Sequence, residues 1–532
     1  MSEEKISVDK DHVAKEVDRL SKSVYFQYVQ AQTKTLRDRA AKYQLGFVAE
    51  KTGMKRGFSA ADVFVLTCCA VVGLGISEQT LMIQTQMPGI DSHVPLAFLV
   101  GAVPALLVAL CYATLASSIP RSGGDYVFVS RGFNPFLGFW ASWARWFGIA
   151  LAVGLIAFGT ATLMADWLDL LAVPIPSYFR IIVTFAALVL CSIVNLRGGR
   201  LFSWAVRASV VIFLGGGLLM ILFGITHNQS YFLDHAKSRL GTDQVTFLMD
   251  KGRSLSSHRP FDLTLLLKAA SVLFFAYLGL EMPIAAAGEV EDPATAIPRG
   301  SVIAMIFVTV YYFAYSASLY HFLPWEFVSG YLSTNPTTNP ITLYGLTLPH
   351  YLAVLLAFSL IIAVVSDIFP WMLGASRIVF AWSFDGLFPR RFAKLNDRGI
   401  PSQALILTYA VSTLVALGCY FSGYLFTIDL ATLSILWTYL LVSMTVLSVS
   451  FEKPMLLKNA RFRLGKLAIP IALVAFLMSL ILFGGVIVSS WSSFLVFSAW
   501  SMVGLGIYRF MYQKRLNENV DMEATFALIP PE

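Results

Sequence analysis

Twelve long apolar runs dominate this sequence. With loose bounds they cover 60–86, 95–118, 135–164, 179–195, 202–225, 263–288, 300–323, 350–376, 402–421, 426–449, 467–488 and 491–511. A membrane-crossing helix takes about 20 apolar residues. A lipid-embedded backbone must satisfy its polar groups internally, which leaves helices or closed barrels. Runs this long and without alternation predict an all-α integral membrane protein of about 12 transmembrane helices. Composition agrees: 57% of the 532 residues are apolar and 13% charged. Soluble chains run nearer 45–50% and about 25%. A disordered chain, a nucleic-acid-binding protein and an ordinary cytosolic enzyme are therefore excluded as expectations.

Lysine and arginine set the orientation. The N-terminal tail and the even-numbered connections, with the C-terminus, hold 29 of the 39 basic residues. The opposite side holds five, all in the 227–262 connection: Lys237, Arg239, Lys251, Arg253 and Arg259. Both termini are predicted to be cytoplasmic, in the plasma membrane. The net charge of +7 is read as topology and attraction to anionic lipid, with no nucleic-acid partner. The first apolar run is too long for a cleaved signal peptide and leads into further spans.

The expected organisation is a polar cytoplasmic tail at 1–58, a first group of five spans at 59–226 and an extracellular loop at 227–262. A second group of five at 263–449, spans 11 and 12 at 450–511 and a cytoplasmic tail at 512–532 follow. Val13, Val17, Leu20, Val24 and Tyr28 recur at helical spacing and predict one amphipathic helix in the N-terminal tail. Asn228-Gln229-Ser230 matches a glycosylation sequon. Cys68, Cys69, Cys111, Cys191 and Cys419 all lie in apolar runs without a CxxC or Cys/His cluster. They are expected to be buried thiols; no cofactor or metal is expected.

Two spans are interrupted in matching places. The first reads Val72-Gly73-Leu74-Gly75-Ile76-Ser77-Glu78, the sixth Phe274-Phe275-Ala276-Tyr277-Leu278-Gly279-Leu280-Glu281. Glycine is poor inside helices and lets backbone approach a ligand. If five spans form one repeat and the next five its inverted copy, spans 1 and 6 correspond. Interrupted segments in corresponding places mark the binding site of an inverted-repeat carrier. Unwinding frees backbone N–H and C=O groups, and the continuing half-helix offers a positive N-terminus to a carboxylate.

These stretches resemble the amino acid–polyamine–organocation (APC) transporters. Gly73-Leu74-Gly75-Ile76 is similar to that family's G-S-G-I. Ile119-Pro120-Arg121-Ser122-Gly123-Gly124-Asp125-Tyr126 resembles its signature between helices 2 and 3. Phe275 to Glu281, with Glu289-Val290-Glu291-Asp292-Pro293 and Ile297-Pro298-Arg299, resembles its helix 6 signature. Ser376-Arg377, Asp385-Gly386-Leu387-Phe388-Pro389 and Gly399-Ile400-Pro401 are similar to the connection after helix 8. The resemblance implies a 5+5 inverted repeat with discontinuous helices 1 and 6, two extra helices and alternating access. It implies a substrate carboxylate near Gly73, Gly75, Ile76 and Ser77, and a substrate amine near Phe275, Ala276, Tyr277 and Gly279.

The sequence departs from that pattern. Ser77 and Glu78 stand where an aromatic residue is common, with Ser77 expected to cap the half-helix and Glu78 to stabilise it or to contact a cation. Thr114 replaces a usual acid in span 2, and span 5 lacks a mid-helix lysine. Buried ionisable groups are costly in lipid, about 2.5–3.5 kcal/mol at a helix centre. Glu78, Arg145, Glu281 and Asp367 are the candidate coupling residues. Asp367 lies deep in apolar sequence beside Pro370; Arg145 is expected to pair with an acid on span 8 or span 1. Arg207 and Lys268 are expected to reach the interfaces. Glu289, Glu291 and Asp292 are read as a loop charge run, with Arg121 or Arg131 as inner-gate partners.

The sequence thus predicts a permease that moves an amino acid or related amine, coupled to H+ or Na+ in the manner of a symporter. A carrier of potassium or another cation on the same scaffold, and a non-transporting amino-acid sensor, are the alternatives. No intramembrane His pair or Ser/Lys dyad stands out, so an enzyme is not expected.

Overall fold

The computed structural model describes residues 54–256, 262–335, 340–422, 425–520, 522 and 526. The amphipathic helix expected at 13–28 lies outside them. Among the described residues, twelve helical segments are long and apolar enough to cross a membrane: Ala60–Gln86, Asp91–Ser118, Pro135–Leu170, Phe179–Arg197, Gly199–Thr226, Leu263–Ala285, Pro293–Phe322, His350–Phe384, Ser402–Phe421, Thr427–Glu452, Gly465–Ser489 and Trp491–Asn517. They are called spans 1 to 12 below, and they match the twelve apolar runs one for one.

Local chemistry fixes several helix starts. Ser59 and Asp62 close a capping box at the start of span 1: the Ser59 Oγ accepts from the Asp62 N–H at 3.3 Å, and the Asp62 carboxylate accepts from the Ser59 N–H at 3.0 Å. Asn134 caps span 3 through its side-chain oxygen, with Pro135 at the first helical position. Asp262 caps span 6 in the same way. Spans 3 and 8 have 36 and 35 residues. At 1.5 Å per residue each is longer than 50 Å, well beyond the roughly 30 Å hydrocarbon layer, so they tilt or project.

Spans 1, 2, 6 and 7 pack on one another, and spans 3, 4, 8 and 9 form a second set. Span 8 crosses between the sets, lying against span 1, and span 10 lies along span 3. Spans 11 and 12 sit outside on spans 10, 2 and 3. Their outward faces carry large apolar side chains such as Ile481 and Val488, 72% and 88% exposed, as a surface bathed in lipid requires.

One connection differs from expectation. The 227–262 connection, read as a loop, holds helices Gln229–Leu240 and Thr242–Leu255. The connection between spans 7 and 8 holds helices Trp325–Thr334 and Pro340–Thr347. Helices 242–255 and 325–334 pack backbone to backbone, because a side chain on Gly252 or Gly330 would overlap the partner helix's carbonyls. Charge and polarity hid the first two helices, and the short length of the other two falls below that of a membrane crossing. The sequon residue Asn228 is the N-cap of the first of them, accepting from the Tyr231 N–H. The five cysteines are buried and unbridged.

Candidate functional site

Span 1 is broken where its glycines predicted. The first half, Ala60–Val71, ends with the Val72 N–H donating to the Cys68 carbonyl at 2.9 Å. Val72 is extended, and the second half starts at Leu74 with Gly73 at its N-cap. Span 6 is broken more widely. Helix Leu263–Leu273 tightens to a 3₁₀ turn over Phe274–Tyr277, Leu278 is extended, and Gly279 adopts φ +112. Only glycine takes that conformation readily. A short helix resumes at Met282–Ala285.

Such breaks strand carbonyls, and the structure shows how they are met. The Trp371 indole N–H donates to the Ala70 carbonyl at 2.9 Å. The Tyr312 hydroxyl lies 2.7 Å from the Val71 carbonyl and 3.0 Å from the Ala276 carbonyl. A hydroxyl has one proton, so one donor serves an acceptor from each break. The two breaks also touch directly: a Cβ on Gly75 would come within 2.5 Å of the Ala276 Cα, and one on Gly279 would overlap the Ala70 carbonyl.

Between the breaks lies a hollow of about 40 Å³. Gly75, Ala276 and Phe275 form one side and Asp367 and Trp371 of span 8 another. Ala152, Leu155 and Ile156 of span 3, with Ala431 and Ile435 of span 10, close it with apolar side chains. Asp367 is buried, and its Oδ1 has no hydrogen-bond partner among the described residues. Its carboxylate abuts Gly73 at the N-terminal end of the second half-helix, so that a side chain there would overlap it. Partial positive charge at a helix N-terminus suits an anion in that place.

The predicted residues divide between two places. Gly75, Phe275, Ala276 and Asp367 line the hollow. Gly73, Ile76 and Ser77 line a separate cavity of about 30 Å³ bounded by Phe213 and Gly216 of span 5 and Tyr311 of span 7. Ser77 is not the cap of the half-helix: its hydroxyl donates back to the Gly73 carbonyl at 3.0 Å, the local bond a serine makes inside a helix. Glu78 is half-buried and lines neither cavity. Tyr277 faces span 2, donating to the Phe98 carbonyl at 3.0 Å. Gly279 holds the turn that brings span 6 onto Ala70.

Arg145 and Glu281 form a buried ion pair with each other. Asp125 stands 3.7 Å from Arg145, and the Tyr439 hydroxyl donates to Glu281 at 2.7 Å. The partners expected on span 8 or span 1 are thus wrong. Asp125 precedes span 3 and Glu281 ends the span 6 break, because the tertiary fold folds the 122–126 motif back under span 3. Arg207 bonds Asp62 of span 1 at 2.5 Å.

The end of the bundle next to residues 54–60 is closed by charge and aromatic contacts. Arg131 pairs with Asp385 at 2.7 Å, and the Tyr126 hydroxyl donates to the same carboxylate at 2.5 Å. Arg377 pairs with Glu289 at 2.6 Å, and Arg461 with Asp292 at 2.8 Å. Glu289 and Asp292 were expected to face Arg121 or Arg131; they take other arginines. Phe58, Phe202 and Phe369 pack in series beside these pairs, one pair tilted and the other edge-on, with ring centroids 5.8 and 6.3 Å apart. Sequence reasoning gave no role to Tyr312, Trp371 or Tyr439. They are aromatic residues in apolar helices, and only the carbonyls and carboxylate they meet distinguish them from packing residues.

This geometry agrees with comparison to known proteins. The family model described as Amino acid permease matches residues 58–512. The branched-chain amino acid permease BcaP of Bacillus subtilis is 24% identical over 467 residues, 87% of this chain and 94% of that one. The cationic amino acid transporter 4 of Mus musculus is 24% identical over 418 residues, 76% of this chain and 61% of that one. The methylthioribose transporter of Bacillus subtilis is 24% identical over 356 residues, 65% of this chain and 71% of that one. With twelve apolar helices, paired breaks in spans 1 and 6 and a family match across most of its length, the chain belongs to the amino acid permease family.

Proposed function

We propose that this protein is a secondary-active carrier of an amino acid with an apolar side chain, working by alternating access. The observation that carries this reading is the hollow between the two breaks, which combines apolar walls with a buried, unpartnered carboxylate oxygen on Asp367. A coupled proton or Na+ supplies the partner that oxygen lacks, and the α-ammonium group is left to the carbonyls near Phe275, Ala276 and Gly279. Ala152, Leu155, Ile156, Ala431 and Ile435 offer the side chain an apolar lining. The branched-chain permease among the relatives supports an apolar substrate.

The hollow has room for water but is short of a whole amino acid, so loading requires the breaks to separate at Gly75 and Ala276. Release toward the end near residue 58 requires the Arg131–Asp385 and Arg377–Glu289 pairs to part. Such two-state closure is the working element of a carrier of this kind.

Asp367 also suggests the coupling. Its carboxylate sits where the half-helix N-terminus would draw the substrate carboxylate, and two anions compete there. A proton on Asp367, or Na+ beside it, removes the conflict. Uptake is therefore symport, with H+ the favoured ion. The reading includes a 5+5 inverted repeat over 59–226 and 263–449, both termini cytoplasmic and residence in the plasma membrane.

The test is counterflow in liposomes preloaded with single unlabelled amino acids, using labelled leucine, arginine and γ-aminobutyrate. Accumulation of labelled leucine alone, unaffected by external potassium, is expected. Competition by potassium points to the cation carrier, and binding without counterflow points to a sensor; either outcome overturns the proposal.

A further inference from the structure

A second cavity is larger than the central one. A concavity of about 630 Å³ opens at the end of the bundle where span 1 begins. Its cationic side chains come from three separate stretches: Lys55 and Arg56 before span 1, Arg197 and Arg200 at the turn between spans 4 and 5 with Arg207 one level deeper, and Arg398 after span 8. Arg207 is neutralised by Asp62, and the single acid in the wall, Glu289, is taken by Arg377. Among the described residues, Arg56, Arg197, Arg200 and Arg398 form no ion pair, and Lys55 donates only to the Asp397 carbonyl. Five cationic side chains therefore surround one hollow without a counter-charge among the described residues.

Like charges so gathered repel one another, and a surface that only needed positive-inside topology could spread them. Backbone turns hold two of the walls in place. Gly198 and Gly199 both have positive φ between Arg197 and Arg200, and Gly399 does so beside Arg398. The segment at 57–58 is tied to the end of span 6 by N–H bonds from Gly57 and Phe58 to the Glu289 carbonyl. The open side of the cavity carries Trp204, 70% exposed, next to the outward apolar face of span 5. Tryptophan at that level marks the membrane–water interface. Phe58 lines the cavity and packs against Phe202.

We propose that this cavity is a binding site for a phosphate-bearing anion, filled by the headgroup of an acidic phospholipid of the leaflet it faces. Arginine forks match phosphate oxygens, and the lateral opening beside Trp204 admits a lipid whose acyl chains lie along span 5. A bound phosphate ties the residues before span 1 to the turn between spans 4 and 5 and to the segment after span 8. The site is independent of what the central hollow carries.

The experiment is binding of phosphatidylglycerol to the purified full chain by native mass spectrometry, with phosphatidylcholine and inorganic pyrophosphate as parallel probes. The variants are Arg200→Gln/Arg398→Gln and, as a control of equal charge at the same end outside the cavity, Arg390→Gln/Arg391→Gln. Arg200→Gln alone serves if the double variant does not fold, as judged by its melting temperature. Phosphatidylglycerol retained over phosphatidylcholine, and weakened roughly tenfold or more by the cavity variant only, is the expected result. Pyrophosphate binding as tightly as phosphatidylglycerol, with the same dependence on the cavity arginines, assigns the phosphate site to a soluble ligand and overturns the lipid assignment. Equal loss in the two double variants, or no preference for the acidic lipid, overturns the proposal altogether.

Discussion

The Asp367 carboxylate lies against the α-carbon of Gly73, so closely that any side chain at position 73 would overlap it. Span 8 thereby inserts an anion into the break of span 1, at the positive end of a half-helix. The approach leaves no room for a Cβ, which requires glycine here.

Gly73→Ala should therefore destabilise the fold by about 1–3 kcal/mol, the usual cost of overpacking. Asp367→Ala in the same chain should recover most of it, whereas Asp367→Asn, similar in size, should not. Melting temperatures of the four proteins in one detergent form the cycle. Additive effects of Gly73→Ala and Asp367→Ala would show that the two residues do not meet.

If the substrate carboxylate competes with the Asp367 charge, protonation of Asp367 favours binding. Substrate affinity should rise as pH falls. In Asp367→Asn the dependence should flatten, and uptake should no longer respond to an imposed pH step. Equilibrium binding across a pH series, with uptake into liposomes carrying a pH gradient, checks both statements. An unchanged response would remove Asp367 from coupling.

Arg145 is buried between Glu281 and Asp125. Arg145→Met leaves two acids without their counter-charge, which costs about 3–5 kcal/mol for a broken buried pair. Arg145→Met with Glu281→Leu should be closer to the parent protein. Tyr439→Phe removes one hydrogen bond to a charged group, about 1.5–3 kcal/mol. Thermal melting of detergent-solubilised protein ranks the variants; Arg145→Met as stable as the parent would contradict the role given to the cluster.

The Arg131–Asp385–Tyr126 and Arg377–Glu289 contacts join separate elements at one end of the bundle, and on the proposed function they part for release. Asp385→Ala should raise the population of the state open at that end. Because the five native thiols are buried, a maleimide reports on an introduced cysteine with low background. Labelling of Ser122→Cys, buried in the parent, should speed up several-fold when Asp385→Ala is added. No change would mean that the pair does not lock that face.

Much of the fold was legible because lipid imposes a strict length and polarity on each crossing. All twelve spans follow from that rule alone. The breaks were legible because glycine is conspicuous in an apolar helix, and Asp367 because a lone acid is. The helices at 229–255, 325–334 and 340–347 were not, since surface helices over the bundle carry no such constraint. Neither the pairing of Arg145 nor the division between Gly75 and Ile76–Ser77 was readable. The first depends on residues 122–126 folding back under span 3. The second depends on the rotation of the half-helix after the break, and adjacent residues then face different cavities. Tyr312 carried no signal, since its partners are two backbone carbonyls 205 residues apart in sequence, at Val71 and Ala276.

The central claim is that an amino acid lodges where Gly75 and Ala276 meet. Equilibrium binding of labelled leucine to the purified protein tests it most directly, comparing the parent with Gly75→Val and with Gly215→Ala, a glycine with open space around it. The account predicts saturable binding by the parent and by Gly215→Ala. It predicts at least a tenfold loss in Gly75→Val that elutes as a folded monodisperse species. Undiminished leucine binding by Gly75→Val would contradict it.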